Sequence, residues 1–204
     1  MGHAVNRRKG PVMTATARER LLEAAVEAFA EKGFTATTTR DIAARAGMSP
    51  AAVYVHHDTK ESLLFTVSID GHRSALHVVE SGDDPAATPP ERLRRLVHDF
   101  SAWHASHSRV GRIVQYEFDA LTPEHRAEVA ALRRAIERSL QQVLEAGVAS
   151  GDFAVDDLVG TARAILSLSI DLVRWFSPTG PQTPADVAEL HARLALRMVL
   201  SHDD

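Results

Sequence analysis

Apolar residues recur at helical spacing along nearly the whole chain, and no stretch alternates for long enough to make a strand. That pattern confines the fold to an all-α architecture. Gly and Pro set the boundaries. Leu21, Leu22, Ala25, Val26 and Phe29 share one helical face and lead into Lys32-Gly33-Phe34, a cation in the last turn followed by glycine at C′. Thr88-Pro89-Pro90, Thr122-Pro123-Glu124 and Thr183-Pro184 each put a hydroxyl at a cap and proline in a first turn. Residues 81–88 and 177–182 read as loops, and Ser150-Gly151-Asp152 closes a long helical pattern that begins at Glu124. These signals predict about nine helices, among them 60–79, 156–176 and 184–201.

Of the 204 residues, 45% are hydrophobic and 25% charged, enough for a sizeable core and average for a globular protein. The longest apolar run, 164–170, falls far short of the roughly 20 residues a membrane span needs. Arg7, Arg8 and Lys9 are followed by no apolar stretch, so the start does not read as a secretory signal, and the expected location is the cytoplasm. The absence of cysteine excludes disulfides, thiolate metal sites and cysteine nucleophiles.

Charge is unevenly placed within the net −4. Residues 1–60 hold nine Lys or Arg against six Asp or Glu, whereas the remainder holds fourteen against twenty-one. A basic amino-terminal part on an acidic body fits a nucleic-acid head on a partner-binding trunk. The segment 38–60, TTRDIAARAGMSPAAVYVHHDTK, supplies the head. Thr38 and Asp41 form a capping pair, and Ile42 with Ala46 gives a short helix its apolar stripe. Gly47 stops it. Ser49 caps the next helix, Pro50 takes its first position, and Val53 faces inward. Alanines at 43, 44, 46, 51 and 52 let the two helices approach closely. The product is a helix-turn-helix whose second helix is the reader.

These residues resemble the TetR family of bacterial transcriptional regulators. The matching stretches are Thr38, Arg40-Asp41-Ile42-Ala43, Ala46-Gly47-Met48-Ser49, Val53-Tyr54, His56 and Lys60-Glu61-Ser62-Leu63. His57 departs from the pattern, standing where that family usually has a core Phe. The resemblance and the geometry together assign Thr38, Tyr54 and Lys60 to phosphates, with His56 in the contact set. Arg40, Ser49, Pro50, Ala52 and Val55 fall to the bases, and only Arg40 is suited to a bidentate contact with guanine. Residues 1–14 read as a flexible basic arm, 15–60 as the DNA-binding domain, and 61–204 as the effector-binding and dimerisation domain. The partner is a double-stranded palindromic operator.

In the trunk, helix 60–79 links head to body and is the expected transmission rod. The last two helices are too apolar for one buried face: Leu194, Ala195, Leu196, Met198, Val199 and Leu200 are interrupted only by Arg197. The resemblance implies a homodimer through these helices, with Leu190, Leu194, Arg197 and Met198 in the seam. An effector chamber is expected from Trp103, His107, Arg112, Tyr116, Phe118, Ser167 and Ile170. The stretch LVRWF at 172–176, followed by SPTGPQT, resembles TetR-like regulators that answer to acyl-CoA thioesters. That likeness implies Arg174 and Arg163 as the groups that meet phosphate or carboxylate.

His104 and His107 have the i, i+3 spacing of a zinc pair, but nearby spacing fixes no third ligand, so no metal or other cofactor is expected. There is no phosphate loop and no Gly-x-Ser-x-Gly elbow, and the chain reads as a non-enzyme. The expected function is an effector-released repressor. Two alternatives stand beside it: a helical ligand-binding or scaffold protein without DNA binding, suggested by His57 and the plain reading helix, and a multidrug-sensing member of the same family.

Overall fold

The structure is a computed structural model, and it describes residues 16–200. The amino-terminal arm, with Arg7, Arg8 and Lys9, lies outside the described residues, as do the side chains of Val55 and His56. The described chain is all-α: α1 (Ala17–Ala36), α2 (Thr39–Arg45), α3 (Pro50–His56), α4 (Lys60–Gly82), α5 (Pro89–Ser106), α6 (Ser108–Tyr116), a 3₁₀ turn (Phe118–Ala120), α7 (Pro123–Ser150), α8 (Leu158–Ile170), α9 (Leu172–Trp175) and α10 (Pro184–Val199). With the four-residue α9 counted as the tail of α8, nine helices are described.

Local chemistry starts most of them. Thr16, Thr38, Thr59, Thr88 and Thr183 close capping boxes with the residue three positions on. Gly33 breaks α1 with φ 75°, a backbone region that glycine adopts without Cβ strain, and Gly151 ends α7 in the left-handed region with φ 82°. Two boundaries differ from expectation. Helix α4 runs on to Gly82, because Ala75 and Val79 continue its buried stripe into the trunk. The expected helix 156–176 begins at Leu158, capped by Asp157, and divides at Asp171, so Arg174 sits on α9. No described helix is long and apolar enough to cross a membrane.

Two apolar cores result. The lower joins Leu21, Phe29, Ile42 and Val53 of the head, through Leu63 and Leu64 of α4, to Ile113, Leu121 and Val129 of the trunk. The upper gathers Val79, Leu93, Phe100, Leu140, Leu144, Ile165 and Val199. Each such side chain contributes roughly 1.5–3 kcal/mol on burial, so both cores are substantial. The head is fastened to the trunk by polar contacts as well. Glu117, at the end of α6, accepts the Phe34 backbone N–H at 3.0 Å beside the break in α1. Glu61 accepts the Thr122 N–H at 3.0 Å and meets His125 Nδ1 at 2.8 Å.

Candidate DNA-reading head and effector chamber

In the head, α2 and α3 form the expected pair. Thr38 Oγ1 accepts the Asp41 N–H at 3.1 Å and donates to its carboxylate at 2.7 Å. The Thr38 hydroxyl, the Thr38 N–H at 2.9 Å and Lys32 Nζ at 3.1 Å together hold the Asp41 carboxyl far below the usual carboxylate range. Ser49 Oγ accepts the Ala52 N–H at 3.2 Å and starts α3, leaving Pro50 exposed and Ala52 half-buried. Arg40 is exposed, with no hydrogen bond or ion pair among the described residues. Tyr54 is half exposed, its hydroxyl 3.3 Å from Thr39 Oγ1. Arg45 bridges Glu27 and Glu31 of α1, and both carboxylates raise its pKa. His57 is half-buried, its Nδ1 3.5 Å from Ser62 Oγ.

Two of the residues assigned to phosphates are otherwise engaged. The Lys60 ammonium donates to the carbonyls of Phe34 at 2.6 Å, Thr35 at 3.3 Å and Thr37 at 2.7 Å, and lies 4.3 Å from the centre of the Phe34 ring. All three of its N–H bonds point into the chain, closing the carbonyl end that the break at Gly33 leaves open. Thr38 spends its hydroxyl on Asp41 in the same way. Arg40 and Tyr54 are exposed.

The trunk holds two compartments. An open groove of about 630 Å³ is lined by Gln115, Tyr116, Ala164, Ser167, Leu168, Ile170, Asp171, Val173, Arg174, Trp175 and His191. Deeper, a narrow cavity of about 60 Å³ lies among α4 to α9, lined by Gly71, His72, Ala75, Phe100, Trp103, His104, Val110, Gly111, Val114, Gln115, Ile136, Ile170 and Val173. Gln115, Ile170 and Val173 belong to both and form the partition. Gly111 permits the close approach of α6 to α9: a Cβ there would stand 2.6 Å from Val173 Cγ1.

The expected chamber residues divide accordingly. Trp103 and Ile170 line the inner cavity, while Tyr116, Ser167, Ile170 and Arg174 line the groove. Arg174 pairs loosely with Asp171 at 3.5 Å and remains largely exposed. Arg112 donates to the Val173 carbonyl at 3.1 Å and, with Arg109 and Arg174, edges a neighbouring cleft of about 410 Å³. Three expectations are corrected. Phe118 packs in the lower core beneath the Arg133 guanidinium, 4.2 Å from its ring centre. Arg163 faces outward and is paired with Glu137 at 2.9 Å, because α8 turns that side to α7. His107 is exposed and stacked on Trp103, with ring centres 4.6 Å apart, outside the cavity lining.

Sequence reading placed His104 in the mid-trunk but missed His72 and its partner Arg133. His104 is buried and His72 half-buried, and desolvation pushes both pKa values down to about 4. The i, i+3/i+4 series Ser68, His72, Ala75, Val79 on α4 carries the relevant signal, a histidine on an apolar helical stripe. Arg133 Nε donates to His72 Nε2 at 3.1 Å, and burial lowers the arginine's pKa. A second buried polar group joins Ser101, Ser169 and His191, with contacts of 2.7 and 3.2 Å. On the outer side, Leu194 and Met198 of α10 are exposed and Leu190 half-buried, one stripe with Arg197 beside it.

A helix-turn-helix joined through a long helix to an all-helical chamber defines a bacterial DNA-binding regulator. Residues 21–67 match the bacterial regulatory proteins of the tetR family, and residues 86–199 match the tetracyclin repressor-like C-terminal domain. The chain belongs to the tetR family. It is similar to the HTH-type transcriptional repressor KstR2 of Rhodococcus jostii (strain RHA1), with 35% identity over 187 residues, 88% of this chain and 89% of the relative. A solved tetR-family regulatory protein from Rhodococcus RHA1 is 44% identical with a TM-score of 0.87, covering 93% of this chain and all of the other. The structure of AibR in complex with isovaleryl coenzyme A and operator DNA is 25% identical with a TM-score of 0.78, covering 88% and 97%.

Proposed function

We propose that this chain is a non-enzymatic, homodimeric repressor, released from a palindromic operator by an amphiphilic anionic effector, an acyl-CoA thioester. The observation that carries the effector reading is the shared partition. A charged, open groove and an apolar inner cavity meet at Gln115, Ile170 and Val173, which suits a ligand with a large anionic part and an apolar tail. Arg174, with Arg112 and Arg109 in the adjoining cleft, supplies positive charge for the anionic part. The AibR complex, which holds a coenzyme A thioester, adds support.

The exposed stripe Leu190, Leu194 and Met198 supports pairing through α10 and α8. Helix α6 offers the shortest route from ligand to DNA. Its Val110, Gly111 and Val114 line the cavity, while Ile113 lies in the head's core and Glu117, just past its end, binds the Phe34 N–H. A ligand acts on the operator only insofar as it favours one head arrangement over the other.

The test is fluorescence anisotropy on duplex from the chain's own upstream region, titrated with acyl-CoAs, free fatty acids and planar cationic drugs. Acyl-CoA is expected to release DNA, and Arg174→Ala to weaken that response while leaving DNA affinity near wild type. Release by the cationic drugs alone would overturn the assignment. Sedimentation should show a dimer that Leu194→Glu disrupts more than Arg197→Ala does.

A further inference from the structure

Among the polar groups on the inner cavity, His104 is the most deeply buried. His104, on α5, is only 8% exposed and lies edge-on to the Phe100 ring, with centres 4.3 Å apart. Its Nδ1 is 2.9 Å from the Phe100 carbonyl, and a carbonyl can only accept, so Nδ1 carries the proton. Burial keeps the ring neutral near pH 7, so Nε2 presents a bare lone pair. Among the described residues Nε2 has no hydrogen-bond partner, while every sealed polar side-chain atom has one. Nε2 is therefore not sealed off, and His104 is a wall residue of the cavity.

His72, also on the lining, provides an internal control. Its Nδ1 donates to the Ser68 carbonyl at 2.8 Å in the same helical pattern, but its Nε2 is already filled by the Arg133 Nε–H. Around His104 the wall is apolar, with Ala75, Phe100, Val114 and Ile136. A lone pair in such a wall repels a carboxylate or ketone oxygen and attracts a donor.

We propose that His104 Nε2 accepts a hydrogen bond from a hydroxyl on the apolar part of the effector, so that the inner cavity selects hydroxylated tails over their saturated or keto analogues. The proposal rests on the acyl-CoA reading only for how the tail is delivered. A ligand without the hydroxyl leaves a buried acceptor unpaired, which corresponds to roughly tenfold weaker binding.

The test measures calorimetric affinities of the full chain for hexanoyl-CoA, 3-hydroxyhexanoyl-CoA, 6-hydroxyhexanoyl-CoA and 3-oxohexanoyl-CoA. At least one hydroxy thioester is expected to bind about tenfold tighter than hexanoyl-CoA, with no such gain for the oxo compound. In His104→Leu the gain should vanish while hexanoyl-CoA still binds, showing that the variant is folded; His104→Gln, which keeps an acceptor, should restore part of it. Equal affinities in the wild type, or a preference that survives in His104→Leu, would overturn the proposal. Should no thioester bind, the acyl-CoA reading fails by itself. The cavity is then judged by nitrogen-15 NMR of the His104 ring with cyclohexanol against cyclohexanone. A shift of Nε2 with the alcohol alone supports the proposal, and no shift with either ends it.

Discussion

Head and trunk use their polar side chains in opposite ways. At the helix starts of the head, hydroxyls act on a residue three positions away: Thr38 with Asp41, Ser49 with Ala52, Thr59 with Ser62. In the trunk, beside local contacts such as His104 with the Phe100 carbonyl, several interior polar contacts join residues far apart in sequence: Arg133 with His72, Ser101 with Ser169 and Ser101 with His191. Local caps fix the shape of short helices and leave the outer surface free to meet DNA. Long-range contacts fix how helices sit against one another, which is what a chamber that transmits binding requires.

The largest expected difference between the two is their response to acid. His104 is buried and His72 half-buried, and desolvation lowers both pKa values to about 4 from an ordinary 6.5, so both are neutral near pH 7. Above pH 6.5 both are neutral folded or unfolded, and stability is unaffected. As pH falls from 6.5 to 4 the unfolded chain gains protons that the native trunk resists, so stability declines by up to about 3 kcal/mol per histidine and then levels off. Denaturant titrations across that range should show the decline, and His104→Leu should make it shallower. An unchanged slope in that variant would remove His104 from the account.

Lys60 sharpens the comparison, because it is the head's long-range clamp. Lys60→Met keeps the stem over Phe34 but abandons three carbonyls, and the expected loss is about 1–2 kcal/mol, partly offset by water. Thermal unfolding should fall by roughly 2–8 °C, with the salt dependence of DNA binding unchanged. A lysine acting on phosphate would instead lower that slope by about one.

Smallest is the local cap. Thr38→Ala should cost about 1 kcal/mol, the usual worth of a helix cap. It should also let the Asp41 carboxyl titrate nearer the ordinary range, since the Thr38 hydroxyl and N–H are the main groups holding it down. A carboxyl titration by NMR that leaves Asp41 unmoved would assign the effect to the backbone N–H at 38 and to Lys32.

The same division explains what could be read from the sequence. Thr38, Asp41, Gly47, Ser49 and Pro50 carry their meaning within a four-residue window, so the helix-turn-helix was legible residue by residue. The division at Asp171 was not: a run of apolar residues continues across it, and only packing against α6 decides where α9 turns. Arg163 and Phe118 were misassigned because helical spacing does not say which neighbour a face will meet. The roles of the inner histidines were hidden for a related reason. A histidine on an apolar stripe looks alike whether its second nitrogen is filled, as in His72, or open, as in His104.

The nine residues of α6 touch two tenants at once. Val110 and Val114 face the cavity, while Ile113 is embedded in the core of the head. Evolution toward a new ligand therefore has little freedom there, since a change of bulk that reshapes the chamber also shifts the seat of α1. The groove side of α8, where Ala164, Ser167 and Leu168 touch no part of the head's core, is the stretch on which drift in ligand preference can accumulate while the DNA-reading geometry is inherited intact.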